Sequence, residues 1–132
     1  MITAIDTNIL ARSILNDDEK QSPLAKDKIR KILKKDEIMI SSYTILELVW
    51  IMKVKKKSKE IIISVLDSLL NTTGIIIAND TIVRHAFYMF KIGKSDFGDY
   101  LILSDALQQS CKNILTFDRN FAKEPQVELV TS

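Results

Sequence analysis

The stretch that decides the fold is ITAIDTNIL, residues 2–10, where an aspartate separates two apolar segments. The β-branched run before Asp6 is too short for a helix and predicts a strand, and the residues after it begin a helical pattern. A carboxylate at such a junction can cap the helix, can be a satisfied exception in a core, or can form one wall of a metal site. The rest of the sequence must distinguish these roles.

Length and composition predict one globular domain covering residues 1–132, because 46% of the residues are hydrophobic and 27% are charged. No apolar run approaches the ~20 residues that cross a bilayer, and no signal peptide is recognisable at the N-terminus. Cys111 is the single cysteine, so an internal disulfide is excluded. We therefore expect a cytoplasmic protein without a membrane segment.

The basic residues are unevenly distributed, although the net charge is only +2. Eleven of the 19 lie in two clusters, namely Lys26, Lys28, Arg30, Lys31, Lys34 and Lys35, and then Lys53, Lys55, Lys56, Lys57 and Lys59. Such clusters can attract phosphates, or they can be solvated faces of helices and loops. Both readings stay open from the sequence.

Short β-branched runs alternate with longer helical segments along the chain. The predicted strands are Ile2–Ile5, Ile38–Ile40, Gly74–Ala78, Ile114–Thr116 and Val127–Val130, each of a type that suits a buried strand. The predicted helices are 7–16, 22–35 with Ser22 as cap and Pro23 first, 43–54, 58–70, a fifth that is capped by Asn79 or Asp80 and ends near residue 93, and 97–111. This alternation predicts an α/β fold with one parallel sheet of about five strands and helices on both faces.

Several acids are out of place in this pattern. Asp6 and Asp118 each follow a predicted strand, and the carboxyl ends of parallel strands form the edge where ligands bind. Glu47 lies in the apolar stretch ILELVWIM, where we expect it to be buried and to need a partner, either the site or a lysine such as Lys53.

Two further acids, Asp96 and Asp99, lie three residues apart in KSDFGDYLIL. Asp96 is either the cap of the next helix or a ligand, whereas Asp99 falls in the first turn of that helix. Like charges ~4 Å apart repel by on the order of 4 kcal/mol at an effective dielectric of 20, so a gathered cluster needs a cation. A set of oxygen ligands without histidine or cysteine favours Mg²⁺ or Mn²⁺, the usual partners of phosphate chemistry.

Four motifs carry a resemblance to a known family. AIDTNIL, ELVW, SDFGDYLIL and LTFDRNF resemble the PIN-domain nucleases, and their compact spacing is similar to the VapC-type toxins of toxin–antitoxin pairs. The resemblance implies a PIN-like three-layer fold. It also implies an endoribonuclease dependent on Mg²⁺, with Mn²⁺ as a substitute. A homodimer, an RNA substrate and a cognate antitoxin are implied as partners.

The same resemblance assigns residues to roles. Asp6, Glu47, Asp99 and Asp118 fall on the catalytic acids, and Asp6, Asp99 and Asp118 on the metal ligands. The supporting positions fall on Thr7, Asn8, Asp96 and Thr116. The stretch YLILSDAL is bulkier than the small residues common in the family after the third acid. The number of metal ions stays open.

Two other classes compete with a nuclease. One is a catalytically inactive PIN-like scaffold that binds RNA or protein and whose acids are structural. The other is a phosphate-accepting receiver domain, which also gathers acids at strand ends. The receiver is disfavoured because the strand IMIS ends in Ser41 rather than an aspartate, and no lysine follows the final strand.

Overall fold

The computed structural model describes residues 1–131, and within that range it contains five strands, six α-helices and one short 3-10 helix. The strands are β1 (Ile2–Ala4), β2 (Glu37–Ile40), β3 (Ile75–Ile77), β4 (Ile114–Thr116) and β5 (Val127–Leu129). The helices are α1 (Thr7–Leu15), α2 (Gln21–Leu33), α3 (Ser42–Val54), α4 (Lys59–Leu70), α5 (Asp80–Ile92) and α6 (Phe97–Gln108), and the 3-10 helix is Phe121–Lys123. The predicted alternation of strands and helices is confirmed.

The chain forms two compact units, the first over Met1–Asp80 and the second beginning at Thr81. In the first unit the parallel sheet has the order β1-β2-β3, with Ile2 opposite Glu37 and Ile38 opposite Ile75. Its core is apolar and closed to solvent, and its most buried members are Ile38, Ile40, Ile45, Leu48, Met52 and Leu66.

The second unit contains the parallel pair β4–β5, in which Ile114 lies opposite Val127. Helices α5 and α6 supply its core, where Phe90 and Phe97 pack edge to face with centroids 5.8 Å apart. Parallel pairing is confirmed in both units. The described strands form sheets of three and two, however, whereas the sequence predicted one sheet of about five.

Strand β1 differs from its prediction as a buried strand, because all of its residues are exposed. It lies at one end of the order β1-β2-β3, so within its unit only β2 flanks it. The apolar character of Ile2 and Ala4 identified the strand correctly, but this character alone did not determine its burial.

The start of α2 corrects a second prediction. Ser22 is not the cap, because the helix begins at Gln21 and the Ser22 side chain is fully buried. The Asp18 carboxylate takes the capping role by accepting the N–H groups of Lys20 at 2.9 Å and Gln21 at 2.7 Å. A carboxylate accepts from backbone amides more strongly than a hydroxyl does, so the earlier acid prevails.

Helix α6 ends at Gln108, before the predicted residue 111. Ser110 adopts a left-handed φ of 60°, and the N–H of Cys111 reaches back to the carbonyl of Ala106 at 2.9 Å. This is the Schellman type of helix end. Cys111 is therefore an exposed residue beyond the helix. No helix in the described range is long and apolar enough to span a membrane.

Candidate acidic active site

Asp6 lies between β1 and α1 and is the N-cap of that helix. Its Oδ1 accepts the N–H of Ile9 at 3.0 Å, and its backbone is extended, as capping requires. The side chain is exposed. Of the roles open to this residue from the sequence, capping is the one that the hydrogen bond shows, and it occupies only one of the two carboxylate oxygens.

Glu47 is in the second turn of α3, and the structure corrects the expectation that it is buried. The side chain is exposed, together with Tyr43 one turn earlier and Trp50 one turn later. The opposite face of α3 carries the buried residues Ile45, Leu48, Val49 and Met52. The 3.6-residue period of the helix therefore places Glu47 on the outward face despite its apolar neighbours.

Thr7, the residue after Asp6, connects the first turn of α1 to Glu47 through its hydroxyl. Its Oγ1 donates to Oε1 of Glu47 at 2.8 Å, which connects the first turn of α1 to α3. The resemblance placed Thr7 among the supporting residues, and the hydrogen bond of its side chain is to Glu47. A cleft of about 410 Å³ lies here, lined by Asp6, Thr7, Asn8, Glu47, Trp50 and Ile51.

Asp118 follows β4 in the second unit and resembles Asp6 in its local bonding. Its Oδ1 accepts the N–H groups of Asn120 at 2.8 Å and Phe121 at 3.1 Å, which holds the backbone that leads into the 3-10 helix. Thr116 Oγ1 accepts the N–H of Asp118 at 3.0 Å. Thr116, which the resemblance placed among the supporting residues, thus holds the backbone of Asp118.

Asp96 and Asp99 lie at the start of α6. Asp96 is at the N-cap position with an extended backbone, and Asp99 is a half-buried residue of the first turn. The side chain of Asn120 donates from Nδ2 to the carbonyl of Lys94 at 3.0 Å. This hydrogen bond ties the Asp118 loop to the segment that leads into α6. Asn120 was not predicted from the sequence, although its position two residues after Asp118 is the signal of an Asx turn.

Tyr100, directly after Asp99, is a second residue whose role was not predicted from the sequence. Its side chain is 1% exposed, and its hydroxyl donates to Oε1 of Glu124 at 2.5 Å while accepting the N–H of Ser95 at 3.2 Å. Burial, and then the neighbouring Glu124 carboxylate, raise the pKa of Tyr100 above its ordinary value. The first turn of α6 is thereby fixed to the segment before β5.

The chemistry of the donors fits a hard divalent cation. Asp6 and Asp118 both engage backbone amides through Oδ1, which leaves Oδ2 as the oxygen that a cation would meet. Within the described part of each unit, no three acidic, histidine or cysteine side chains come together as a metal centre. Mg²⁺ commonly uses only one or two carboxylates and completes its shell with water and substrate phosphates.

The chain belongs to the PIN-domain family, whose sequence model matches residues 3–125 and so runs through both compact units. It is similar to the VapC20 toxin of Mycobacterium tuberculosis, described as cleaving the sarcin–ricin loop. Identity is 16%, each chain is covered to 98%, and the TM-score is 0.46.

It is also similar to a chain of a toxin–antitoxin complex from Klebsiella pneumoniae. Here identity is 20%, coverage is 98% of this chain and 96% of that one, and the TM-score is 0.38. No curated protein matches this chain in sequence.

Proposed function

We propose that this protein is a Mg²⁺-dependent endoribonuclease and the toxin of a toxin–antitoxin pair. The observation that carries the proposal is that this chain of the PIN-domain family has acids at the positions that the resemblance assigned to catalysis, Asp6, Glu47, Asp99 and Asp118. Two of these acids, Asp6 and Asp118, are oriented by backbone amides, which fixes one oxygen and leaves the other for a ligand. Such prior orientation is what a catalytic carboxylate requires.

Asp6, Asp99 and Asp118 are the residues that would hold the ion, with Mn²⁺ as a substitute for Mg²⁺. When bound, the cation would lower the pKa of a water molecule and neutralise charge on the phosphate. Glu47 orients the attacking water or takes its proton, and the Thr7 hydroxyl fixes Oε1 so that Oε2 faces the substrate. Hydrolysis then leaves a 5′-phosphate and a 3′-hydroxyl.

The supporting residues act on the positions of these acids. Thr116 holds the backbone of Asp118, Asp96 begins the helix that carries Asp99, and Asn8 lines the cleft beside Asp6. In this proposal both compact units belong to a single nuclease domain, residues 1–132. The protein acts in the cytoplasm as a homodimer, and a cognate antitoxin blocks the site.

The decisive experiment incubates the purified protein with total RNA, with Mg²⁺ or with EDTA, and maps the cleavage ends. We expect cleavage with Mg²⁺ only, and none by Asp6→Asn. A matched control is Asp105→Asn, which changes an exposed acid of α6 outside the proposed site. Undiminished cleavage by Asp6→Asn would refute the assignment, and light scattering that shows a monomer at all concentrations would refute the dimer.

A non-catalytic PIN-like scaffold that binds RNA or protein is the second candidate. The observation in its favour is that both acids have a structural role within the described residues. Asp6 caps α1, and Asp118 accepts the backbone N–H groups of Asn120 and Phe121. The scaffold predicts RNA binding that is identical with Mg²⁺ and with EDTA and no new RNA ends. The same assay therefore decides between the two functions.

A further inference from the structure

The connection between α3 and α4 concentrates positive charge. Five of the seven residues 53–59 are lysines, and we name this segment the lysine turn; its lysines are Lys53, Lys55, Lys56, Lys57 and Lys59. All five are exposed. A basic cluster of this density attracts polyanions, but it can also be a solvated loop, so its local structure must distinguish the two roles.

Two lysines of the turn occupy positions that general helix rules disfavour for lysine. Lys56 has a left-handed φ of 59°, and its N–H and that of Lys57 close the Schellman end of α3 onto Lys53 and Met52, each at 2.9 Å. Glycine is the usual residue there. Lys59 lies in the first turn of α4, where the helix dipole disfavours a positive charge. Positions that break local rules are where function is expected.

The basic cluster of α2 follows these rules and has a structural explanation. Lys31 pairs with Asp27 one turn earlier at 3.0 Å, and Arg30 and Lys31 are in the last turn, where the dipole favours cations. Lys34 and Lys35 are also exposed. These two lysines therefore provide a matched control for the lysine turn.

Helix α3 connects the lysine turn to the acidic cleft. Glu47 lies in α3 and Lys55 directly follows that helix, eight residues later, which is about 12 Å along a helix axis. Trp50 and Val54 lie between them on the same outward face, with 65% and 60% of their surfaces exposed. Trp50 also lines the cleft with Glu47. The Trp50 ring and then the lysine turn thus follow the cleft along the direction of α3.

Ion pairs within the first compact unit hold the lysine turn in place. Lys55 Nζ contacts Oδ2 of Asp17 at 3.0 Å, and Arg12 Nη1 contacts Oδ1 of the same carboxylate at 3.1 Å. Arg12 belongs to α1, the helix whose first residue, Thr7, bonds Glu47. Helix α1 is therefore linked to the cleft through Thr7 and Glu47, and to the lysine turn through Arg12, Asp17 and Lys55.

We propose that a single-stranded RNA lies along the outward face of α3, with a base stacked on Trp50 and phosphates at the lysine turn. The proposal rests on the proposed function, because it assigns the substrate-binding surface beside that site. Stacking on an aromatic ring next to a basic groove is the general mode of single-strand binding and needs no sequence readout. The lysines act as point charges on phosphates and supply affinity rather than chemistry.

Trp50 is the single tryptophan of the chain, so its fluorescence reports directly on the proposed surface. The protein is titrated with oligouridylate in EDTA, which prevents cleavage, at several salt concentrations. We expect the fluorescence to be quenched. The slope of log affinity against log salt should fall by about 1.4 in Lys56→Gly/Lys57→Gln, since each phosphate contact on a single strand contributes about 0.7.

The control is Lys34→Gln/Lys35→Gln, which removes the same charge from the α2 cluster and should keep the wild-type slope. An equal fall in both variants, or the absence of quenching, would overturn the proposal. In Trp50→Ala we expect binding to weaken by roughly 5- to 150-fold, the range of base–aromatic stacking.

The unfolding temperature and the RNA affinity should change in opposite directions in one variant. Lys56→Gly removes the left-handed strain and should raise the unfolding temperature by about 3 to 6 °C, while RNA binding weakens. A variant that is more stable and binds RNA as well as wild type would show that Lys56 has no part in binding.

The outcomes separate this inference from the proposed function. A changed salt slope without any cleavage activity would refute the nuclease and leave the RNA surface standing. Cleavage activity with an unchanged slope would refute the surface and leave the nuclease standing. Polyglutamate is added as a competitor, and if it quenches Trp50 as strongly as oligouridylate does, the surface is one for acidic proteins and the proposal fails.

Discussion

At the residue scale, one candidate acid in each unit is held by backbone amides in the same way. Asp6 caps α1 by accepting the N–H of Ile9 with Oδ1, and Oδ1 of Asp118 accepts the N–H groups of Asn120 and Phe121. Hydrogen bonds of this kind fix the direction of the second oxygen without a further protein partner. One residue thus serves both the fold and the proposed chemistry, which is why the capping and metal roles of Asp6 do not exclude each other.

The Thr7 hydroxyl provides a test of how Glu47 is oriented. In Thr7→Val the shape is kept and the donor to Glu47 Oε1 is lost, so we expect cleavage to fall about 10-fold or more, as for outer partners of metal-site residues. The measurement is kcat/KM on a labelled RNA, with the unfolding temperature recorded beside it. Thr7→Ser keeps the donor and should retain activity; equal activity of the valine and serine variants would contradict the role.

Gly93 makes room for Tyr100. A Cβ at position 93 would lie 1.8 Å from the Tyr100 hydroxyl and 2.6 Å from Cζ, so Gly93→Ala forces the ring to move. We expect a loss of about 2 to 4 kcal/mol from overpacking and from broken hydrogen bonds, measured by urea unfolding. Tyr100→Phe removes only the hydroxyl and should cost about 1 to 3 kcal/mol. A Gly93→Ala protein as stable as wild type would refute the packing.

At the element scale, the sequence located the helices closely but did not show which face of α3 is outward. The capping residues Ser41 and Ser58 and the turn at Gly74 mark the element ends, and these signals are local. The stretch ILELVWIM is apolar all round apart from Glu47, so it carries no polar stripe from which a face can be read. The packing of the other face into the core decided the orientation.

The ion pairs of Asp17 give stability a pH dependence at this scale. Hydrogen bonds from Lys55, and then from Arg12, hold the pKa of Asp17 below its ordinary 3.8. The folded pKa is below the unfolded one, so the stabilisation is present above the unfolded pKa and is lost as the pH falls through the folded value.

We therefore expect Asp17→Asn to be less stable than wild type near neutrality, by no more than about 1 kcal/mol because the pair is near the surface. The difference should vanish as the solution is acidified below the pKa of Asp17. Urea midpoints across this pH range measure it, with Asp105→Asn as the control acid. A difference that stays constant with pH would contradict the ion-pair explanation.

At the scale of the whole molecule, strand and helix order could be predicted because it follows from local patterns of apolar residues. The grouping of strands into three and two could not, because it depends on pairing between distant segments such as Ile38 with Ile75. The same limit applies to the site. The candidate acids could be proposed from their type and position, whereas the Asn120 and Tyr100 bonds could not be predicted because they join residues far apart in sequence.

Under the proposed function, Mg²⁺ should stabilise the protein because it binds the folded chain and not the unfolded one. At Mg²⁺ concentrations about 100 times Kd we expect about 2.7 kcal/mol of added stability, read as a rise in unfolding temperature. Asp118→Asn should abolish the rise and Asp105→Asn should keep it. A rise that is equal in both variants would indicate a non-specific salt effect and would contradict the assigned ligands.

The space beside Gly93 also has a consequence for how this sequence can drift. A mutation that gives position 93 any side chain is tolerated only if the ring at position 100 is lost beforehand or at the same time. Loss of that ring leaves Glu124 without the hydroxyl that binds it. Positions 93, 100 and 124 are therefore expected to change as a set during divergence, with glycine, tyrosine and glutamate inherited together or replaced together.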